Sequence, residues 1–212
     1  TIRCATARCS PGATKRSNQT GTFESILAAA IDSGGFRRVL FHAGQQWTHT
    51  ATYRINTPGP GLIGSFDSEG MCSASNPCAQ RAVAAFTPTS GTGISFNDDD
   101  WRLSDLDLRG IGSGTPMAVG FMHTKNHDGV DYNVRSTVLR LDLKGFLVGF
   151  STSGAWPSPD VVTQDLAIVE NRYSASISGS GGNCVYVNGR RFMLLGNDFD
   201  RGGASEHVVR IS

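Results

Sequence analysis

One phrase returns four times in the second half of this chain, and it narrows the folds open to it. It reads WRLSDLDLRG at 101–110, TVLRLDLKGF at 137–146, TQDLAIVEN at 163–171 and FMLLGNDFDRG at 192–202. Each copy alternates apolar and polar residues, the period of a strand with one buried face. Aligning Leu106, Leu141, Leu166 and Asn197 in one column puts Leu108, Leu143, Ile168 and Phe199 in the next. The steps between copies are then 35, 25 and 31 residues. A unit of this size with only short strands cannot bury its own apolar face, so the units must stack. A second set of strand-like runs follows the first: AVGFMHT at 118–124, FLVGFSTS at 146–153, NCVYVNG at 183–189 and HVVRIS at 207–212. Each repeat therefore carries at least two strands. The expectation is an all-β solenoid forming a single domain over 1–212, with its clearest rungs at 101–212.

Composition agrees with this and removes some functions. Glycine contributes 26 of 212 residues, well above the usual ~7%, and frequent turns favour strands over helices. A net charge of +1 gives no bulk electrostatic reason to expect nucleic acid or an anionic membrane as partner. No apolar run approaches the ~18 residues of a membrane-spanning helix.

One segment reads as helix. Phe23, Ile26, Leu27, Ala30 and Ile31 form a single apolar stripe at helical spacing over 22–33. Thr20 to Thr22 can cap its start, Glu24 suits the first turn, and Gly34-Gly35 stops it. Five cysteines complete the outline. Cys4 and Cys9 flank one short loop and Cys72 and Cys78 another, which suits two local disulfides. A four-thiolate zinc site is the competing reading, but neither pair has the tight C-x2-C spacing. Disulfides would place the protein outside the cell or in a periplasm. Cys184, inside NCVYV, reads as a small buried hydrophobe.

The helix FESILAAAI, the strand-turn VLFHAGQQW, the Gly/Pro turn before LIGSF and the DWRLSDLDLRG rungs together carry a resemblance. Over roughly residues 22–212 the chain resembles the right-handed parallel β-helix of the pectin lyase-like superfamily. The resemblance implies that helix 22–33 caps the first rung. It also implies a secreted or periplasmic carbohydrate-active protein, a polysaccharide lyase or hydrolase acting on acidic glycans. The full catalytic motifs of the pectate lyase, polygalacturonase and chondroitinase/alginate lyase branches are absent. The alternative is a non-catalytic β-helix serving as adhesin, tail-fibre element or surface-assembly module. The chain ends on the strand-like HVVRIS with no cap after it. We therefore expect self-association or further polypeptide at that end, as in the N-terminal part of a longer protein, whose catalytic rungs would then lie beyond residue 212.

Four constellations could carry chemistry. On the outward face of the rungs, Asp107 is expected over Asp142, Arg109 over Lys144 and Asp105 over Arg140. The stacked carboxylates Asp107 and Asp142 are candidate ligands for a cation such as Ca²⁺; a solvated charged face is the plainer reading. Asn97-Asp98-Asp99-Asp100 offers oxygen ligands but lacks the glycine and distal glutamate of an EF-hand, so an ordinary turn is expected. HTKNHDGVDYN at 123–133 reads as an exposed loop, in which Lys125 is a candidate proton acceptor. NDFDRGGASEHVVR at 197–210 holds Arg201, His207 and Arg210. Beside a uronate, His207 or Lys125 would take the proton and Arg201 or Arg210 would neutralise the carboxylate.

Overall fold

The computed structural model describes residues 21–67, 69–87, 91–110, 117–122, 126–127, 130–131, 135–153, 163–175, 184–187, 189–201 and 208–211. Of these, residues 122, 126, 127, 130, 131, 153, 175, 190, 201 and 210 are described as backbone. The described chain is all-β apart from one short helix, and its three large sheets are almost entirely parallel.

The strands are dealt to the three sheets in rotation. Arg38–His42 starts the first sheet, Gln46–His49 the second and Tyr53–Ile55 the third. Gly61–Asp67, Ala82–Phe86 and Thr92–Phe96 then add one neighbour to each, and Trp101–Ser104, Leu106–Gly110 and Met117–Met122 the next. The rotation continues through Thr137–Leu139, Asp142–Lys144 and Val148–Ser153, then Ala167–Val169, Arg172–Ala175 and Val185–Val187. It closes with Met193–Leu195, Asp198–Arg201 and Val209–Ile211. Each circuit thus lays one strand on each sheet, with neighbours ~4.8 Å apart.

Register turns the sequence alternation into three apolar columns. Val39, Ile63, Leu103, Val138, Ile168 and Leu194 stack in the first sheet. Trp47, Ala84, Leu108, Leu143, Tyr173 and Phe199 stack in the second. Tyr53, Ile94, Val119, Phe150, Val185 and Val209 stack in the third. Most of these side chains are buried in one continuous core. Each fully buried one is worth about 1.5–3 kcal/mol, which makes the columns the main source of stability.

The register corrects one part of the sequence alignment. Ile168 belongs to the first sheet beside Val138, whereas Tyr173 is the partner of Leu143. The recurring phrase is two strands joined by a bend, and in the third copy the second strand starts later, at Arg172. The bend residue takes a left-handed backbone at Asp105 (φ 54°), Arg140 (50°), Glu170 (53°) and Gly196 (63°). Only the last is glycine. At the other three the strained conformation is held by N–H donation to the next circuit: Asp105 to Leu139 O, Arg140 to Val169 O and Glu170 to Leu195 O, at 2.8–3.0 Å. After the bend comes an inward position. Leu141 N–H there donates to Asn171 Oδ1 and Asn171 N–H to Asn197 Oδ1, each at 2.9 Å. The correct column is therefore Leu106, Leu141, Asn171 and Asn197, and Leu166 lies outside it.

The expected helix is present, but it is α-helical only over Phe23–Leu27 and widens into π-helical turns over Ala28–Ser33. Thr22 caps it by accepting from Ser25 N–H. It is fastened to the first strand of every sheet. Phe23 stacks on Phe41 at 4.3 Å. Glu24 Oε1 accepts from Thr50 N–H at 3.0 Å and from the Thr50 hydroxyl, and Tyr53 OH reaches Asp32 at 3.4 Å. His49 is fully buried; its Nε2 donates to Gly93 O at 3.0 Å, and its Nδ1 lies 3.4 Å from Glu24 Oε2. Burial pushes His49 down to about 4, against the pull of Glu24. The opposite edge of the sheets leaves Met193, Leu195, Val208 and Ile211 exposed. Among the described residues no helix is long and apolar enough to cross a membrane.

Cys72 and Cys78 form a disulfide, with Cα atoms 5.2 Å apart. Cys184 is buried and is not part of a disulfide. Cys4 and Cys9 lie outside the described residues.

Candidate functional site

The outward face of the second sheet is the natural place for a site, because strand alternation exposes what the core rejects. Its column Gln46, Val83, Asp107, Asp142, Arg172 and Asp198 runs across all six strands in register. The first four of these floor a groove of about 580 Å³. The wall is the segment Cys78 to Arg81, which follows the disulfide-closed loop, and Gly44 closes one side. Gly44 has φ +77°, so the turn favours glycine, while a side chain there would meet the movable end of Gln80.

The electrostatics of the floor follow from neighbours two residues apart on one strand. Asp107 Oδ2 accepts from Arg109 Nε at 3.0 Å and from its terminal nitrogen at 2.5 Å. Asp142 Oδ2 accepts from Lys144 Nζ at 2.8 Å. The other oxygen of each carboxylate, Oδ1, is shielded from solvent and has no hydrogen-bond partner. Asp107 as a residue is only 8% exposed. The hydrogen bond to Asp107 raises Arg109, and the charge of Asp142 adds to the effect. Leaving such oxygens unmet is costly, which sets this pair apart from the satisfied carboxylates of the same sheet.

The expected stacking of Asp107 on Asp142, of Arg109 on Lys144 and of Asp105 beside Arg140 is present. Asp105 serves structure: it takes a two-pronged contact from Arg140 at 2.8 and 2.9 Å. Asn97 to Asp100 form a turn that packs on the Gly59 turn, with Gly59 N–H donating to Asp99 O and Gly61 N–H to Asp100 O, each at 2.9 Å. Asn97 there pairs with Asn56 at 2.9 Å. Among the described residues no cluster of three or more His, Cys, Asp or Glu side chains could hold a metal, and Asp107 and Asp142 stand as a pair.

Lys125 and His207 lie outside the described residues. Arg201 ends the last strand of the second sheet, and Arg210 lies mid-strand in the last strand of the third. Three strand spacings, ~14 Å, separate the Asp107 strand from that of Arg201. The floor carboxylates and this far pair therefore sit in different places. Sequence reasoning missed Arg81, Gln80 and Gln46. Only the closeness of Arg81 to Cys78 hinted at its place on a wall.

Comparison with protein-family models, curated proteins and solved structures finds no match for this chain.

Proposed function

We propose that this chain is a right-handed parallel β-helix of the pectin lyase-like kind, a secreted or periplasmic carbohydrate-active protein that binds an acidic polysaccharide in the groove over Asp107 and Asp142 and cleaves it as a lyase or hydrolase. The observation that carries this reading is the pair of in-register carboxylates, each with an unmet oxygen, under an open groove long enough to follow several strands. The cyclic dealing of strands to three parallel sheets supports the architecture, and the Cys72–Cys78 disulfide agrees with an exported protein.

The two stacked carboxylates of the floor suit a hard cation, which takes oxygen ligands. Ca²⁺ takes roughly six to eight oxygen ligands, so Asp107 and Asp142 would supply two and a uronate and water the rest. Such a cation would draw electrons from the uronate carboxylate and ease loss of the neighbouring proton. The chain's own residues do the holding: Arg109 and Lys144 fix the carboxylates, and the disulfide-closed loop shapes the wall.

Incubation of the full chain with a panel of uronate polysaccharides, with and without Ca²⁺, tests the reading. Cleavage appears as absorbance of an unsaturated product for a lyase, or as new reducing ends for a hydrolase. It should disappear in Asp107→Asn/Asp142→Asn. A wild-type chain that neither binds nor cleaves any polymer of the panel removes the reading. The second reading, an adhesin, tail-fibre or surface-assembly module, would then stand on the apolar edge at Met193, Leu195 and Ile211.

A further inference from the structure

Of the cations at the groove among the described residues, two are committed to its carboxylates. Arg109 is held by Asp107, and Lys144 by Asp142. Arg81 lines the same groove, and its side chain makes no hydrogen bond or ion pair among the described residues. Its backbone, in contrast, is fixed on both sides. Gly44 N–H donates to Arg81 O at 3.1 Å. The next residue, Ala82, is fully buried and donates its N–H to Ser65 Oγ at 3.0 Å. Three residues earlier, Cys78 is tied to Cys72. Arg81 is a half-buried residue on a fixed stem, and its unused donor fork is set up for a planar anion. Asp107 and Asp142 line the same space yet form no ion pair with it. The groove that these residues line holds about 580 Å³.

We infer that Arg81 is the specificity-determining residue of this groove: its guanidinium takes the carboxylate of an acidic sugar and rejects the neutral or esterified form. This rests on the glycan reading above and deepens it. The groove lining is otherwise balanced, since Arg109 is offset by Asp107. Asp142 is likewise offset by Lys144, so Arg81 is the cation at the groove that a uronate finds uncommitted among the described residues. Arginine rather than lysine matters because the fork meets both carboxylate oxygens.

Binding of an oligogalacturonate and of its methyl ester to the full chain, measured by calorimetry at fixed salt, tests this. The wild type should prefer the acid form. Arg81→Gln should weaken the acid form by roughly 10–100-fold, leave the ester within about twofold and remove the preference. Arg81→Lys should keep part of it. An unchanged thermal midpoint in Arg81→Gln separates recognition from folding. If Arg81→Gln keeps the acid-over-ester preference, or weakens both ligands equally, this inference is overturned while the groove reading survives. If the wild type binds neither ligand nor any other glycan, both fall together.

Discussion

Asp105 and Asp107 are two residues apart on one turn of chain, both nearly buried, at 4% and 8% exposure, and they do opposite things. Asp105 reaches across to the next circuit, where Arg140 meets both its oxygens. Asp107 is served along its own strand by Arg109, on one oxygen only, and the residue stacked on it is another aspartate. The first arrangement is closed: strain at φ 54° is held by a complete charge pair. The second is open, with an unmet oxygen beneath a groove. What distinguishes structure from function in this sheet is the residue one circuit away.

The sharpest way to break the comparison is to remove one charge at each place. Asp105→Asn keeps the shape and tolerates the left-handed bend, but takes from Arg140, only 18% exposed, its two-pronged partner and leaves it the half-exposed Glu170 at 3.7 Å. Stability should fall by about 3 kcal/mol in urea denaturation. A loss no larger than that of a surface ion pair would show that the bend is not locked by this contact.

Acid titration has an expected effect of similar size but a different source. His49 is depressed to about 4 by burial, while an unfolded histidine titrates near 6.5. The unfolded chain therefore takes up a proton first. Stability from this group is complete above pH ~6.5 and is lost as pH falls towards ~4, by on the order of 3 kcal/mol. His49→Asn should flatten that part of the stability–pH curve. A slope that persists in the variant would place its origin elsewhere.

Asn171 comes next. It is buried and accepts from Leu141 N–H at 2.9 Å, and it donates to Val138 O at 3.2 Å and Asn197 Oδ1 at 3.0 Å. Asn171→Ala leaves a buried N–H unmet and should cost about 2 kcal/mol. Asn197→Ala, at the last circuit where the side chain is partly exposed, should cost less.

The smallest stability effect should come from Asp107→Asn. Its partner Arg109 has a side chain 47% exposed, and the amide carries no uncompensated charge, so the change should lie within about 1 kcal/mol of wild type. Glycan and cation binding should nonetheless be lost. A large loss of stability here would make Asp107 a second Asp105, and the groove would lose its claim to be a site.

The strand pattern was legible in part. WRLSDLDLRG and TVLRLDLKGF carry matching alternation on both sides of the bend, so Asp107 over Asp142 could be read directly. In TQDLAIVEN the strand Ala167–Val169 belongs to the first sheet and Thr163–Gln164 pairs separately with Gly189–Arg190, and nothing local marks that the second-sheet strand starts at Arg172. Apolar alternation is the same in every sheet of a stacked fold, so a strand cannot announce which sheet it joins. Arg81 was illegible for a related reason: an isolated arginine in a loop has no pattern, and its role comes from a fold that lays its strand beside Gln46 and Asp107.

By itself, then, the sequence determined the all-β class, the short amphipathic helix, the pairing of Cys72 with Cys78 and the alternation that separates core from surface. These depend on periodicity and on contacts between residues close in the chain. The tertiary structure decided the register of the third repeat, the left-handed bend at Asp105, Arg140 and Glu170, and which of two neighbouring aspartates is satisfied. It alone brought Arg81 to the groove floored by Asp107 and Asp142. Each of these is set by residues some 25 to 60 positions away, and contacts of that span leave no periodic trace in a single chain.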